Sequence, residues 1–227
     1  MWKELVRLLK SDDLLQKAWA MSRTMLEVSQ EMTLEAMRVL REGEAVTVRA
    51  DIRAKDKMVN EYERDVRRMV MTHCALRGAS ELPSGMALIS IVIDIERIGD
   101  YTKNIMDLAV VHSGRLVIPE FEDRLQAIET NVKSRFRDTI EVLDTHDETK
   151  ARNLVATYKM EITRTCDTMV DRIVAGEVAS LSPPDAAAAA LYVRYLKRIA
   201  AHLKNVTTSV VNPFIWIGFG KVRTEDG

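Results

Sequence analysis

The chain is poor in helix breakers, aromatic residues, cysteine and excess charge, and each shortage narrows what it can be. Nine glycines and five prolines in 227 residues supply few of the turns that a sheet protein needs. Aromatics make up 5%, fewer than a β-sandwich or barrel usually uses. Cys74 and Cys166 are the only cysteines and form no CxxC pair, so a disulfide framework is not expected; they read as reduced thiols of a cytosolic protein. Lys and Arg total 33 against 34 Asp and Glu, a net charge of -1 with both signs interspersed. That balance argues against nucleic acid as the main partner, which would need a concentrated basic surface. No hydrophobic run reaches bilayer-spanning length. The opening MWKELVRLLK mixes charges through its apolar residues, unlike a signal peptide. A cytoplasmic protein is the expectation.

What is abundant is unbranched apolar residues, including 12 methionines, at helical spacing. Val48, Ile52, Val59, Tyr62, Val66 and Val70 form one stripe, and Ile91, Ile95, Ile98, Ile105 and Ala109 form another. Such near-heptad seams are what antiparallel bundle helices bury. Breaks at 41–43, 77–83, 113–119, 146–147 and 176–184 leave six long helices. These look like three helices written twice. Val39-Leu40 and Arg49 recur as Val142-Leu143 and Arg152 at an offset of 103, and Arg97-Ile98 and Lys103-Asn104 recur as Arg198-Ile199 and Lys204-Asn205 at 101. Pro83 and Pro184 precede the third helix of each set. The expected fold is all-α: two tandem antiparallel three-helix bundles related by an internal repeat, spanning 1–114 and 115–227.

The densest polar pattern lies in Asp94-Ile-Glu-Arg-Ile-Gly-Asp-Tyr-Thr-Lys-Asn-Ile-Met-Asp107. Glu96, Asp100, Lys103 and Asp107 share one helix face, apart from the isoleucine seam. Asp56, Asn60, Glu63 and Arg67 form a similar stripe on the preceding helix. Carboxylates one turn apart, about 5–6 Å between β-carbons, are able to share a hard or borderline cation. The same spacing also arises on ordinary solvated helix faces, as for Glu61 with Asp65. Gly99 within a helix costs about 1 kcal/mol relative to alanine, which points to close approach by a neighbouring helix or a ligand.

No catalytic motif accompanies these residues. A di-iron bundle needs Glu-x-x-His on facing helices, but Val70, Ala109, Leu143 and Ile199 precede the four histidines by three. There is no Gly-rich phosphate loop, HExxH or GxSxG. The uncharged tail Val210–Gly220 is too short to span a membrane and holds Pro213 and two glycines. It either folds back on the bundle or offers Phe214, Trp216 and Phe219 to a partner. Trp2, Leu5, Val6 and Leu9 form a short amphipathic turn that could dock on the chain's own bundle, a membrane face or a partner.

The segment D-I-E-R-I-G-D-Y-x-K-N-I, with V-N-E-x-E-R-D-V-R at 59–67, resembles the signature of the PhoU family, and the resemblance covers nearly the whole chain. It implies a non-enzymatic, negatively acting regulator or accessory of phosphate uptake and homeostasis. Its partners would be membrane phosphate transporter components and a sensor histidine kinase, reached peripherally at the inner membrane face, with the chain a homodimer or other homo-oligomer. It also implies metal (iron, zinc or another divalent or trivalent ion) held by E/D-x-x-x-D motifs. Glu96–Asp100 fits that motif, and Asp56–Asn60 fits it with an amide in place of one carboxylate. The second repeat departs from it, with Lys197, Ala201, Lys159 and Thr163 at the corresponding positions, so metal is expected on the first bundle only. The alternatives are a helical scaffold or oligomerisation module without metal or phosphate link and, third, a metalloenzyme.

Overall fold

A computed structural model describes residues 12–43, 48–112 and 114–219. The amphipathic stretch from Trp2 to Leu9 lies outside them. Six long helices carry the described chain: α1 (Asp12–Glu42), α2 (Val48–Arg77), α3 (Leu82–Val111), α4 (Glu122–Thr145), α5 and α6 (Pro183–Val211). Helix α5 runs as Glu148–Tyr158, a π-helical turn at Lys159–Thr163, and Arg164–Val174. No strand occurs among the described residues.

The apolar seams account for this arrangement. Ile52, Val59, Val66 and Val70 on α2 are buried, as are Ile91, Ile95, Ile98, Ile105 and Ala109 on α3. Helices α1, α2 and α3 pack on one another, while α6 packs along both α4 and α5. The two halves join where α3 lies against α6 and α1 touches α4, and one continuous apolar core runs through both. On α1 and α4, Arg41 binds the Leu116 carbonyl, Glu122 and, at 3.2 Å, Glu129.

Local signals set the helix ends. Pro83 and Pro183 stand in the first turns of α3 and α6, where a missing N–H costs nothing. The Ser182 hydroxyl caps α6 and the Asp147 carboxylate caps α5. Gly43 (φ 87) ends α1 in the left-handed region, and its repeat counterpart His146 (φ 55) ends α4 the same way without glycine's freedom. Trp19 stacks on the His146 ring at 6.1 Å, so the first half covers this strained position of the second.

Glycine also matters in the packing, though at a position the sequence pattern did not single out. A β-carbon at Gly85 would meet Cys74 Sγ at 2.7 Å and Val70 Cγ1 at 2.9 Å, so that these neighbours would have to shift to admit it. At Gly99 it would meet Asp56 Oδ1 at 3.5 Å and Val59 Cγ1 at 3.9 Å, ordinary contact. Gly99 therefore does face a neighbouring helix, but the space there would admit alanine. The steric demand for glycine falls at Gly85.

Candidate functional site

Helices α2 and α3 bring the two polar stripes side by side. Asp56 and Asn60 lie one turn apart on α2, with Asn60 Nδ2 donating to Asp56 Oδ2 at 3.3 Å. On α3, Glu96, Asp100 and Lys103 face them. The Lys103 ammonium joins the helices, lying 2.7 Å from Asp100 Oδ1 and 3.2 Å from Asp56 Oδ1. Burial alone would lower the Lys103 pKa, but the two carboxylates outweigh it and hold the amine above its usual value. Glu96 moves the other way. Burial first, then the nearby Asp100 and Glu63 carboxylates, push it up to about 7. Glu63 is itself paired with Arg67 at 2.6 Å. One turn further along the strip, Arg49 and Arg53 share Asp107 Oδ1 at 2.9 and 3.5 Å, around a cleft of about 230 Å³ that Asp56 and Lys103 also line.

Asp56, Asn60, Glu96 and Asp100 thus belong to one strip, built from carboxylate and amide oxygens of the kind a hard cation takes. Their present geometry is an ion-pair network and not a ligand shell. Among the described residues no three Asp, Glu, His or Cys side chains converge as a metal-ligating group. The cation that Asp56 and Asp100 share is Lys103. It stood in the polar stripe of the sequence, but only the packing of α3 on α2 reveals its bridge to Asp56.

The counterpart strip in the second half has different chemistry. Lys159 and Thr163 bound the π turn, and Lys197 pairs with Asp167 instead of lining a cleft with carboxylates. Arg135 reaches this turn from α4. It donates to the Leu154 carbonyl at 2.7 Å, Thr157 Oγ1 at 3.0 Å and Glu161 Oε2 at 2.8 Å, with its guanidinium 5.8 Å from the Tyr158 ring centroid. A π turn of this kind is a rare interruption of an α-helix. Periodicity carried no signal for it.

The tail folds back on its own bundle, the first of the two sequence alternatives, and leaves part of its apolar surface exposed. Its backbone folds onto α6, held by polar side chains four residues apart. Lys204 Nζ donates to the Gly218 carbonyl at 2.6 Å, Gly218 N–H donates to Thr208 Oγ1 at 2.7 Å, and Asn212 Nδ2 donates to the Trp216 and Phe219 carbonyls at 3.0 and 3.3 Å. Phe214 and Trp216 are half-buried, Trp216 meeting Phe219 edge-on at 5.4 Å. Ile215 (71%) and Phe219 (57%) remain exposed. A cavity of about 640 Å³ opens elsewhere, at the bundle ends around Trp19, Leu88 and Val210, and shares no lining residue with the strip.

A tandem repeat of three-helix bundles defines the class. Residues 22–109 match the family model of the PhoU domain. The fold of the chain as a whole is that of solved PhoU proteins. PhoU from Pseudomonas aeruginosa superposes with a TM-score of 0.76 at 19% identity, covering 92% of this chain and 99% of that one. The phosphate transport system regulatory protein PhoU from Streptococcus pneumoniae gives 0.71 at 18% identity, covering 95% and 98%. Comparison with curated proteins gives no match. No helix among the described residues is long and apolar enough to cross a membrane.

Proposed function

We propose that this chain is a non-enzymatic regulator of phosphate uptake and homeostasis, acting negatively by docking on membrane phosphate transporter components and a sensor histidine kinase. The match to the PhoU domain model at 22–109, within a fold shared along the chain with a phosphate transport system regulatory protein, is the observation that carries this reading. Long helices with short connections favour an extended contact surface over a catalytic pocket. In this reading the chain works in the cytoplasm as a homodimer at the inner membrane face, and Phe214, Trp216 and Phe219 contribute to docking. Deleting the gene should raise phosphate uptake under phosphate-replete conditions, and restoring it should reverse the effect. Unchanged uptake in the deletion strain, together with no transporter or kinase in crosslinked complexes of the tagged chain, would refute it.

A metal belongs to the same proposal. Asp56, Asn60, Glu96 and Asp100 would hold an iron, zinc or similar ion, and its positive charge would replace that of Lys103 between Asp56 and Asp100. Tag-free protein should then carry metal that is lost in Glu96→Ala/Asp100→Ala and rises in Lys103→Gln. Equal, negligible metal in all three proteins would sink the idea.

A further inference from the structure

Helix α3 has a second polar face that the strip does not use. Asp94, buried at the junction of the two bundles, accepts a hydrogen bond from His202 Nδ1 at 2.6 Å and another from Asn205 Nδ2 at 3.1 Å, both from α6. His202 is 2% exposed, and its ring stacks on Tyr101 at 5.7 Å. The Tyr101 hydroxyl accepts from Arg198 Nε at 3.1 Å. Among the described residues, the buried His202 Nε2 has no hydrogen-bond partner.

The internal repeat shows that this arrangement is not a by-product of the symmetry. At the offset of 101, Tyr101 and His202 are counterparts, and the counterpart of Asp94 is Tyr195. The mate of the Asp94–His202 contact is therefore Tyr101 against Tyr195, two tilted rings 6.0 Å apart. One side of the helix crossing is a buried hydrogen-bonded pair and the other is aromatic. Ile91, Ile95 and Ile98 on α3 and Leu196, Ile199 and Leu203 on α6 are all buried, and the other polar contacts between the halves include Arg41 with Glu122 and Glu129 and Arg23 with Asp144, all between α1 and α4. Hydrophobic burial is non-directional and by itself tolerates neighbouring helix registers better than a buried hydrogen bond does. A carboxylate with a single pair of donors does distinguish them, because any slip leaves it buried and unpaired. Desolvation offsets much of the attraction within a buried pair, so its best-attested use is to specify register.

We infer that Asp94 and His202 form a register key for the crossing of α3 on α6, so that this crossing changes its register or angle only by breaking the pair. The key and the acidic strip share α3 but face different neighbours, so the key neither needs nor uses a cation at Glu96 and Asp100.

Electron spin–spin distance measurement between labels on Glu61→Cys and Arg164→Cys tests the inference in the full chain, with Cys74→Ala removing the partly exposed thiol. Cys166 is fully buried, and its thiol, pushed up to about 12 mainly by burial, stays unlabelled. The parent should give one narrow distance, and Asp94→Asn, which keeps an acceptor oxygen, should match it. Asp94→Leu/His202→Leu should resist urea at least as well as the parent yet give a broadened or multiple distribution. His202→Phe keeps the ring on Tyr101 but not the hydrogen bond, should broaden the distribution as well, and serves as the deciding variant if the leucine pair fails to fold. A parental narrow distance in either keyless protein would overturn the inference.

Discussion

The two bundles use the same apolar seam and opposite polar chemistry. Ile52 and Val155, Val59 and Ile162, and Val70 and Ile173 are counterparts, and all six are buried. Off the seam the halves diverge. Asp56, Asn60, Glu96 and Asp100 face Lys159, Thr163, Lys197 and Ala201 across the repeat. Fully buried Met32 of α1 corresponds to Arg135 of α4, 3% exposed and fastened to the π turn. The paired lysines make the contrast sharpest. Lys103 sits between two carboxylates and is held above its usual pKa, whereas burial pushes Lys204 down, with the Gly218 carbonyl as its partner. The packing seam is constrained by shape on every turn, while the faces beside it are free to acquire separate tasks.

The largest expected effect comes from Arg135, where the halves differ most in their interiors. Arg135→Ala should cost about 3 kcal/mol, since it removes the buried hydrogen bonds of the guanidinium and opens a cavity. Arg135→Met, which restores the first bundle's residue, should cost clearly less because it refills the space. Urea unfolding of both variants checks the order, and equal losses would show that refilling the space contributes nothing and that the hydrogen bonds carry the whole effect.

Gly85→Ala should follow at about 1–3 kcal/mol through overpacking against Cys74 and Val70. Gly99→Ala should lie near neutral or gain up to about 1 kcal/mol of helix propensity. Thermal unfolding of the pair separates the glycine that packing requires from the one it merely accommodates.

The junction between the halves supplies a pH test. Glu129, which accepts from the Tyr192 hydroxyl at 2.6 Å, is raised above the usual carboxylate range by burial, partly opposed by Tyr192 and Arg41. With the folded pKa raised, the folded state binds the proton more tightly than the unfolded chain. This contribution to stability is full below the ordinary carboxylate pKa and is lost as pH rises through the folded value. Glu129→Gln keeps an acceptor for Tyr192 and should flatten that decline, so its advantage over the parent should grow with pH in unfolding curves between pH 4 and 8. A constant difference across that range would contradict the shift.

The smallest effect is expected at Arg49→Ala. Its partner Asp107 is half-exposed and keeps Arg53, so the change should stay within about 1 kcal/mol and shrink further in high salt.

Helix number, breaks and the repeat were legible in the sequence because periodicity and helix-ending residues are local signals, each written within a few turns of chain. The acidic stripes were legible for the same reason, and so was their absence from the second half. Spacing alone did not reveal that Lys103 spans Asp56 and Asp100, that Arg135 supports a widened turn 19 to 26 residues away, or that Asp94 meets His202 across 108 positions. These contacts depend on helix rotation and crossing, which no single helix encodes. The tail illustrates the division well. Its lack of charge marked it as apolar, but only the tertiary structure shows polar side chains of α6 holding its backbone while Ile215 and Phe219 face outward. Sequence by itself determined which residues must be buried, because hydrophobic burial follows the period of the helix. The tertiary structure decided which polar groups meet, because a hydrogen bond requires two atoms within about 3 Å and a particular direction.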